Sequence, residues 1–395
     1  MLLVHYLHNN AIDFKVNPRY NTLQIVWLRC INFKGTVISV IVIGMAKTSS
    51  AHPLRFFWVS GILTVLLGAW VVAHGGSAAL WLFAILVVLE VTFSFDNAVI
   101  NSKVLARMSK FWQALFLTVG IFFAVFVVRF VLPIFIVMLS SGHGFQSVLD
   151  MAMHQPEAYG KTLHEAAPLI DAFGGTFLVM IGINYFMDRE KDIHWLKRTE
   201  KWLSRFGSYD TFKVLVMLAV AMFLYVTVDE KYRVVVLLSS IIGVMLHISL
   251  DLFGRFFSSK QSSSTALVGT AAFASFLYLN VLDASFSLDG VIGAFAITND
   301  VLLIMAGLGA GALWVRSLTV YLTRTGTLAK YRYLEHGAHW AILALGIVML
   351  VKLYHIEPPE WFTGSLGLVF ILTAVVSSVA EMKRAEAAKK ARKAA

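Results

Sequence analysis

The chain has 395 residues, 58% of them hydrophobic and only 14% charged, with a formal net charge of +10. A soluble domain needs about a quarter of its residues charged, so a soluble globular protein is excluded. The single cysteine, Cys30, excludes a disulfide framework within the chain and a thiolate metal cage. The basic residues fall in short loops and the tail, which is the pattern of membrane topology rather than of nucleic-acid binding.

Residues 1–50 read as an N-terminal extension. Within it, residues 35–46 form an apolar run between Lys34 and Lys47. The run is too short to cross a hydrocarbon layer roughly 30 Å thick and lacks a small-residue cleavage site after it. Met45, followed by A-K-T-S-S-A-H-P, reads as an alternative start that would make residues 1–44 dispensable. A truncation starting at Met45 that loses all activity would defeat that hypothesis.

Ten apolar stretches follow, at about 54–73, 77–99, 111–139, 167–187, 211–228, 233–253, 265–297, 300–322, 337–354 and 362–380. Each is long enough for a helical span, and the third and seventh are long enough to be tilted, kinked or interrupted. Lys and Arg cluster in alternate connections: Lys103, Arg107 and Lys110; Arg189 to Arg205; Arg324, Lys330 and Arg332; and the tail from Lys383. The connection 140–166 has only Lys161 against Asp150, Glu157 and Glu165. By the positive-inside rule both ends of the chain are cytoplasmic. The expected fold is an all-α polytopic membrane protein of about ten transmembrane helices with an inverted-topology repeat. Its first half is 51–228, its second half 229–380, and 381–395 is a basic cytoplasmic tail lying against anionic head groups.

The second span contains L-E-V-T-F-S-F-D-N from Leu89 to Asn97, and the seventh contains L-D-A-S-F-S-L-D-G from Leu282 to Gly290. At an offset of 193, Glu90 matches Asp283, Ser94 matches Ser287 and Asp96 matches Asp289, while Thr92 and Ser285 place hydroxyls at one position. Carboxylates inside apolar spans cost several kcal/mol each, so they mark functional sites by default; acid–hydroxyl bonding that merely joins helices is the plainer alternative. The two motif spans are five apart and therefore cross in opposite directions, as an inverted repeat with a midplane site demands.

On a helix turning about 100° per residue, Glu90, Ser94, Asn97 and Asn101 share a stripe, as do Asp283, Ser287 and Gly290. Asp96 and Asp289 lie about 120° away from those stripes. Either the helices unwind there, or the four acids do not share one ion. The metal-binding set read from the motifs is Glu90, Ser94, Asp96, Asn97, Asp283, Ser287 and Asp289. It is all oxygen, which suits Mn²⁺, Ca²⁺ or Mg²⁺ better than Zn²⁺ or Cu⁺.

These motifs resemble those of the TerC family of integral membrane proteins. Glu90–Asn97 is similar to that family's first signature, and S-L-D-G-V-I-G-A-F-A-I-T-N-D with Arg316 in W-V-R-S-L to its second. The longer form, with F-D-N-A-V-I-N-S-K-V-L and Arg129–Pro133, looks like a larger bacterial subgroup. The resemblance covers about 54–380 and implies divalent-metal handling, chiefly manganese export, with possible supply of metal to exported proteins. It carries over Glu90, Asp96, Asn97, Asp283 and Asp289. Gly290 and Val291 depart from the small polar residue and proline usual after the second aspartate.

Other polar residues have plainer readings. Arg129 lies too far from the cytoplasmic face to snorkel and calls for a buried partner, whereas Arg316 divides evenly between compensating the acids and snorkelling or local pairing. His247 and Asp251 read as a packed pair more than a proton relay. The outer loop's His143, Asp150, His154, Glu157, His164 and Glu165 read as solvated, and His336 and His339 as interfacial. G-L-G-A-G at 307–311 reads as close helix packing. The expected function is a non-enzymatic transporter in the bacterial inner (cytoplasmic) membrane, exporting a hard divalent cation, most plausibly Mn²⁺. The cation (Mn²⁺ or Ca²⁺) is its substrate, no prosthetic group is expected, and its partners are lipid and metal, not nucleic acid. The alternative is a membrane scaffold that loads metal onto partner proteins with little flux. An intramembrane aspartyl hydrolase is disfavoured because G-x-G-D is absent.

Overall fold

The computed structural model describes residues 24–33, 36–44 and 54–394, apart from 190, 192, 209, 259–265 and 296. The side chains of the two strands and of several helical residues, Asp289 among them, lie outside that description, as does the Met45 start. Strands β1 (Gln24–Phe33) and β2 (Thr36–Gly44) pair as an antiparallel hairpin. Among the described residues every later element is a helix, and one isolated β-bridge joins Met108 to Leu267.

The first helical stretch, Leu54–Phe93, is not one rod. Gly76 has φ 71° and ψ −170°, a conformation open to glycine and strained for any residue with a Cβ. A Cβ on Gly68 would lie 3.6 Å from both Leu80 and Phe83, side chains that a straight helix would hold about 18 and 22 Å away. The chain therefore folds back at Gly76 into two antiparallel arms, α1 (54–75) and α2 (77–93). Helix α3 (Phe95–Arg107) continues α2 beyond a local break at Ser94.

Helix α4 (Lys110–Ser141) includes a π-helical stretch, Phe123–Val131, in its middle. Short helices α5 (Phe145–His154) and α6 (Pro156–Glu165) cross over to α7 (Ala167–Phe186). Then come α8 (Lys197–Ser204), α9 (Asp210–Thr227), α10 (Arg233–Ser258), α11 (Gly269–Phe295), α12 (Val301–Thr325), α13 (Leu334–Lys352) and α14 (Glu360–Ala394). Among the described residues eight helices are long and apolar enough to cross a membrane. The stretch Lys197–Gly207 with Thr211–Thr227 is apolar enough to join them but bends by 104° at its break. One of the eight is the stretch folded at Gly76, whose two arms lie where the first two expected spans fall. The expected interruption occurs in the third span, whereas the seventh runs unbroken.

Apolar side chains face outward at helical spacing, as with Val234, Leu238, Ile242 and Met245 on α10, while Val236, Ser240, Val244 and His247 on the same helix are buried. An outer surface this apolar fits lipid rather than water. Contacts along α12 fix the directions of its neighbours. Phe56 packs edge-on to Tyr321 (5.6 Å), Ser60 bonds Ser317 (2.6 Å) and Trp314 bonds Thr64 (2.9 Å), so α1 runs antiparallel to α12. A Cβ on Gly307 would meet Leu86 at 2.5 Å, and one on Gly311 would meet Glu90 at 2.5 Å, so α2 runs parallel to it. The G-L-G-A-G run thus lets α12 press its backbone against α2. Because a tight turn capped by Asp300 reverses the chain between α11 and α12, α11 runs opposite to α2 and α3.

Candidate functional site

The two motifs lie on these opposed helices and meet in register. Asn97 Nδ2 donates to Asp283 Oδ1, and a Cβ on Gly290 would lie 3.8 Å from Glu90 Oε2. The leading acid of each copy therefore faces the last residue of the other, as a pseudo-twofold axis between the halves requires. Asp283 sits one residue from the middle of the 27-residue α11, so the contact falls near mid-span.

Each leading acid is held by an arginine from the span that follows it in sequence. In the first half, Glu90 Oε1 accepts from Arg129 Nη2 and, at 2.7 Å, from Ser94 Oγ. Arg129 lies in the π-helical stretch and gives its other terminal nitrogen to Ala124 O; π-bulges commonly re-aim backbone and side chains at functional sites. In the second half, Arg316 Nη2 donates to Asp283 Oδ2 at 2.5 Å and to Gly120 O at 3.4 Å. Its guanidinium carbon lies 3.8 Å from the centre of the Phe116 ring, a favourable cation–π contact. All four charged groups are buried. Arg129 has the buried partner its position demanded, and Arg316 compensates an acid rather than snorkelling.

Asp96 is placed differently. It is 2% exposed, accepts from Asn97 N at 2.9 Å, and turns towards α14, where a Cβ on Gly367 would lie 3.6 Å from its Cγ. Among the described residues no Lys or Arg pairs with it. The break at Ser94 (φ −102°, ψ 13°) is shallow, since Ser94 N still reaches Glu90 O at 3.0 Å and Ala98 N reaches Ser94 O at 3.2 Å. That is too little unwinding to bring Asp96 onto the face of Glu90. Ser287 is buried one turn beyond Asp283, and the Asp289 side chain lies outside the described residues. Thr92 and Ser285 bond back to Val88 O and Val281 O at 2.7 and 3.0 Å, so those hydroxyls are engaged within their own helices. Among the described residues no three of His, Cys, Asp and Glu converge as a metal-holding group. In this conformation Glu90, Asp96 and Asp283 do not share one ion.

Elsewhere, Asp251 pairs with Arg255 at 2.9 Å while His247 packs edge-on to Phe177, so the two form no relay. The acidic and histidine residues of the outer loop are exposed. His339 stacks on Tyr185 at 3.6 Å and His336 bonds Ile193 O at 2.8 Å. Three features escaped the sequence reading: Asn280, buried three residues before Asp283; Asp171, buried on α7; and Glu200. Glu200 is wholly buried and accepts from Lys191, Trp195 N and Leu196 N, each at 3.2 Å, and from Trp340 at 3.3 Å. Burial holds the Lys191 ammonium below the usual lysine range, partly offset by Glu200. The signal for the first two was a polar residue inside an apolar run; for Glu200 there was none.

The fold and the buried polar centre define an all-α, multi-pass membrane protein. The chain belongs to a family described as a protein of unknown function (DUF475), whose model matches residues 95–385. It is also 26% identical over 136 residues to an uncharacterized membrane protein of Rickettsia prowazekii (strain Madrid E). That match covers 34% of this chain and 44% of the relative, so the chain spans under half the length of the relative it matches. No solved structure matches the chain significantly.

Proposed function

We propose that the protein is a transporter exporting a hard divalent cation, with Mn²⁺ the first candidate, through the interface between its two motif-bearing halves. Asp96 carries this reading. It is a buried acid near mid-span with no fixed cation among the described residues, whereas Glu90 and Asp283 each have an arginine. A buried carboxylate without a counter-ion is costly, so Asp96 holds either a proton or a mobile cation, and exchanging one for the other is a transport step. Glu90 and Asp283 then join when the cation displaces their guanidinium partners. The oxygen-only chemistry of the motif favours a hard ion. The resemblance of both signatures to the TerC family favours manganese. The basic connections favour cytoplasmic ends in a bacterial inner membrane.

The two arginine-held acids also support a second reading, a metal-loading scaffold whose framework stays closed and which binds metal without moving it. Mn²⁺ flux in proteoliposomes, compared between wild type, Asp96→Asn and Asp289→Asn, separates the two. Transport predicts flux that both variants abolish. Undiminished flux in both would sink the site assignment, and metal binding without flux in wild type would favour the scaffold.

A further inference from the structure

The pseudo-twofold relation between the motifs has a polar side and an apolar side. On α3, Asn101 lies one turn beyond Asn97; on α11, Asn280 lies one turn before Asp283. The two helices are pinned antiparallel at mid-span by the Asn97–Asp283 bond. At the end near the basic loops they are pinned again by Leu267, which donates to Arg107 O (2.8 Å) and accepts from Ser109 N (2.9 Å). Between those two ties lie Asn101 and Asn280, each about one turn on the basic-loop side of the Asn97–Asp283 bond. The same offset of 193 relates Asn101 to Ala294 and Asn280 to Val87. The amides therefore stand only on the side of Lys103, Arg107 and Lys110, and their symmetry mates towards the other face are hydrocarbon.

These amides have free oxygens. Asn97, Asn101 and Asn280 are 0%, 1% and 3% exposed, and the Oδ1 atom of each has no hydrogen-bond partner among the described residues. Two of the amide nitrogens are engaged, Asn97 with Asp283 and Asn280 with Phe276 O at 2.7 Å, which fixes which end of each amide is left over. Each buried acceptor without a donor costs about 1–3 kcal/mol. Three of them within about one helical turn of each other along the α3 and α11 pair call for something positive or protic between the helices. Arg316, the cation that reaches Asp283, is already neutralised by it.

We infer that Asn101 and Asn280, one helical turn from the motif acids on the side of the basic loops, form with the free oxygen of Asn97 a cation waypoint through which a partly dehydrated divalent cation reaches those acids from that face. Neutral carbonyl oxygens replace part of a hydration shell without adding charge, so they bind weakly enough to release the ion onward. The amides' presence on one side only makes that side the loading side of an otherwise pseudo-symmetric site. This rests on the transport reading above and adds to it a route and a polarity.

The test uses full-length protein with Mn²⁺ alone as probe. In detergent, Mn²⁺ binding followed by loss of the free-ion magnetic resonance signal is expected to weaken about tenfold in Asn101→Leu and in Asn280→Leu. Should a leucine variant fail to fold, cysteines read the same point. In a Cys30→Ser background, N101C and N280C are expected to react with a cationic thiosulfonate added from the basic face and to be protected by Mn²⁺, whereas V87C and A294C stay unreactive from either face. Wild-type binding that survives both leucine substitutions, or labelling at positions 101 and 280 that Mn²⁺ does not slow, overturns the waypoint and leaves the transporter standing; the oxygens are then served by water. Labelling equally fast from both faces overturns its polarity. Wild-type protein that neither binds nor moves Mn²⁺ overturns the waypoint and the proposed function together.

Discussion

In the first copy of the motif the helix is interrupted at Ser94, and the arginine that reaches Glu90 comes from a π-helical stretch. In the second copy α11 runs unbroken past Asp283, and its arginine comes from a regular, glycine-rich helix. Both arrive at a buried acid–arginine pair, so the electrostatic requirement recurs while the backbone that meets it does not. The difference lies in what stands at the last motif position. Asn97 supplies a side chain that crosses to the other half and binds Asp283, whereas Gly290 supplies only room beside Glu90. The halves are thus tied by one directed hydrogen bond and one close approach, not by two equal contacts. Within the first copy, Asp96 faces α14 and not the shared interface.

Removing one arginine would break this comparison most severely. Arg129→Met strands Glu90 as a buried lone charge and Arg316→Met does the same to Asp283, each expected to cost about 3–5 kcal/mol. Denaturation in detergent micelles reads this out, and the double variant Glu90→Gln/Arg129→Met should regain most of the loss. If the single variants were as stable as wild type, the pairs would be incidental. Next, Asn97→Ala removes the bond to Asp283 and is expected to cost about 1.5–3 kcal/mol; an unchanged unfolding midpoint would mean that the halves are not tied there.

Gly311→Ala tests close packing on the first copy. Its new Cβ would lie 2.5 Å from that of Glu90, so overpacking of about 1–3 kcal/mol is expected. The smallest effect should have the opposite sign. Gly290→Ala meets only Glu90 Oε2 at 3.8 Å and replaces an intrahelical glycine, so it should stabilise by about 0.5–1 kcal/mol. A Gly290→Ala variant that destabilises as much as Gly311→Ala would show that the second copy is packed as tightly as the first.

Much of the architecture was legible from residue order. Long apolar runs have few alternatives to helical spans, since every backbone amide in hydrocarbon must be satisfied within its own helix. Loop charges oriented those spans, and two acids in each of two matching spans stood out because apolar neighbours make them expensive. The helical offset of Asp96 from Glu90 followed from residue spacing alone. The π-helical stretch of α4 and the fold-back at Gly76 were less accessible. A nearly uniform apolar run carries little record of where its backbone leaves the regular helix.

What residue order determined, then, was that this is a multi-pass helical membrane protein with two opposed acidic motifs. Hydropathy and charge are local properties that can be read one residue at a time. Only the tertiary structure decided that Glu90 belongs to Arg129 and Asp283 to Arg316, that Asn97 bridges the halves, and that Asp96 turns away to α14. It also decided that the free amide oxygens gather on one side. Those pairings depend on how far each helix slides and rotates against its neighbours. Small residues such as Gly307 and Gly311 set that approach, and their consequences appear only once the helices are in contact.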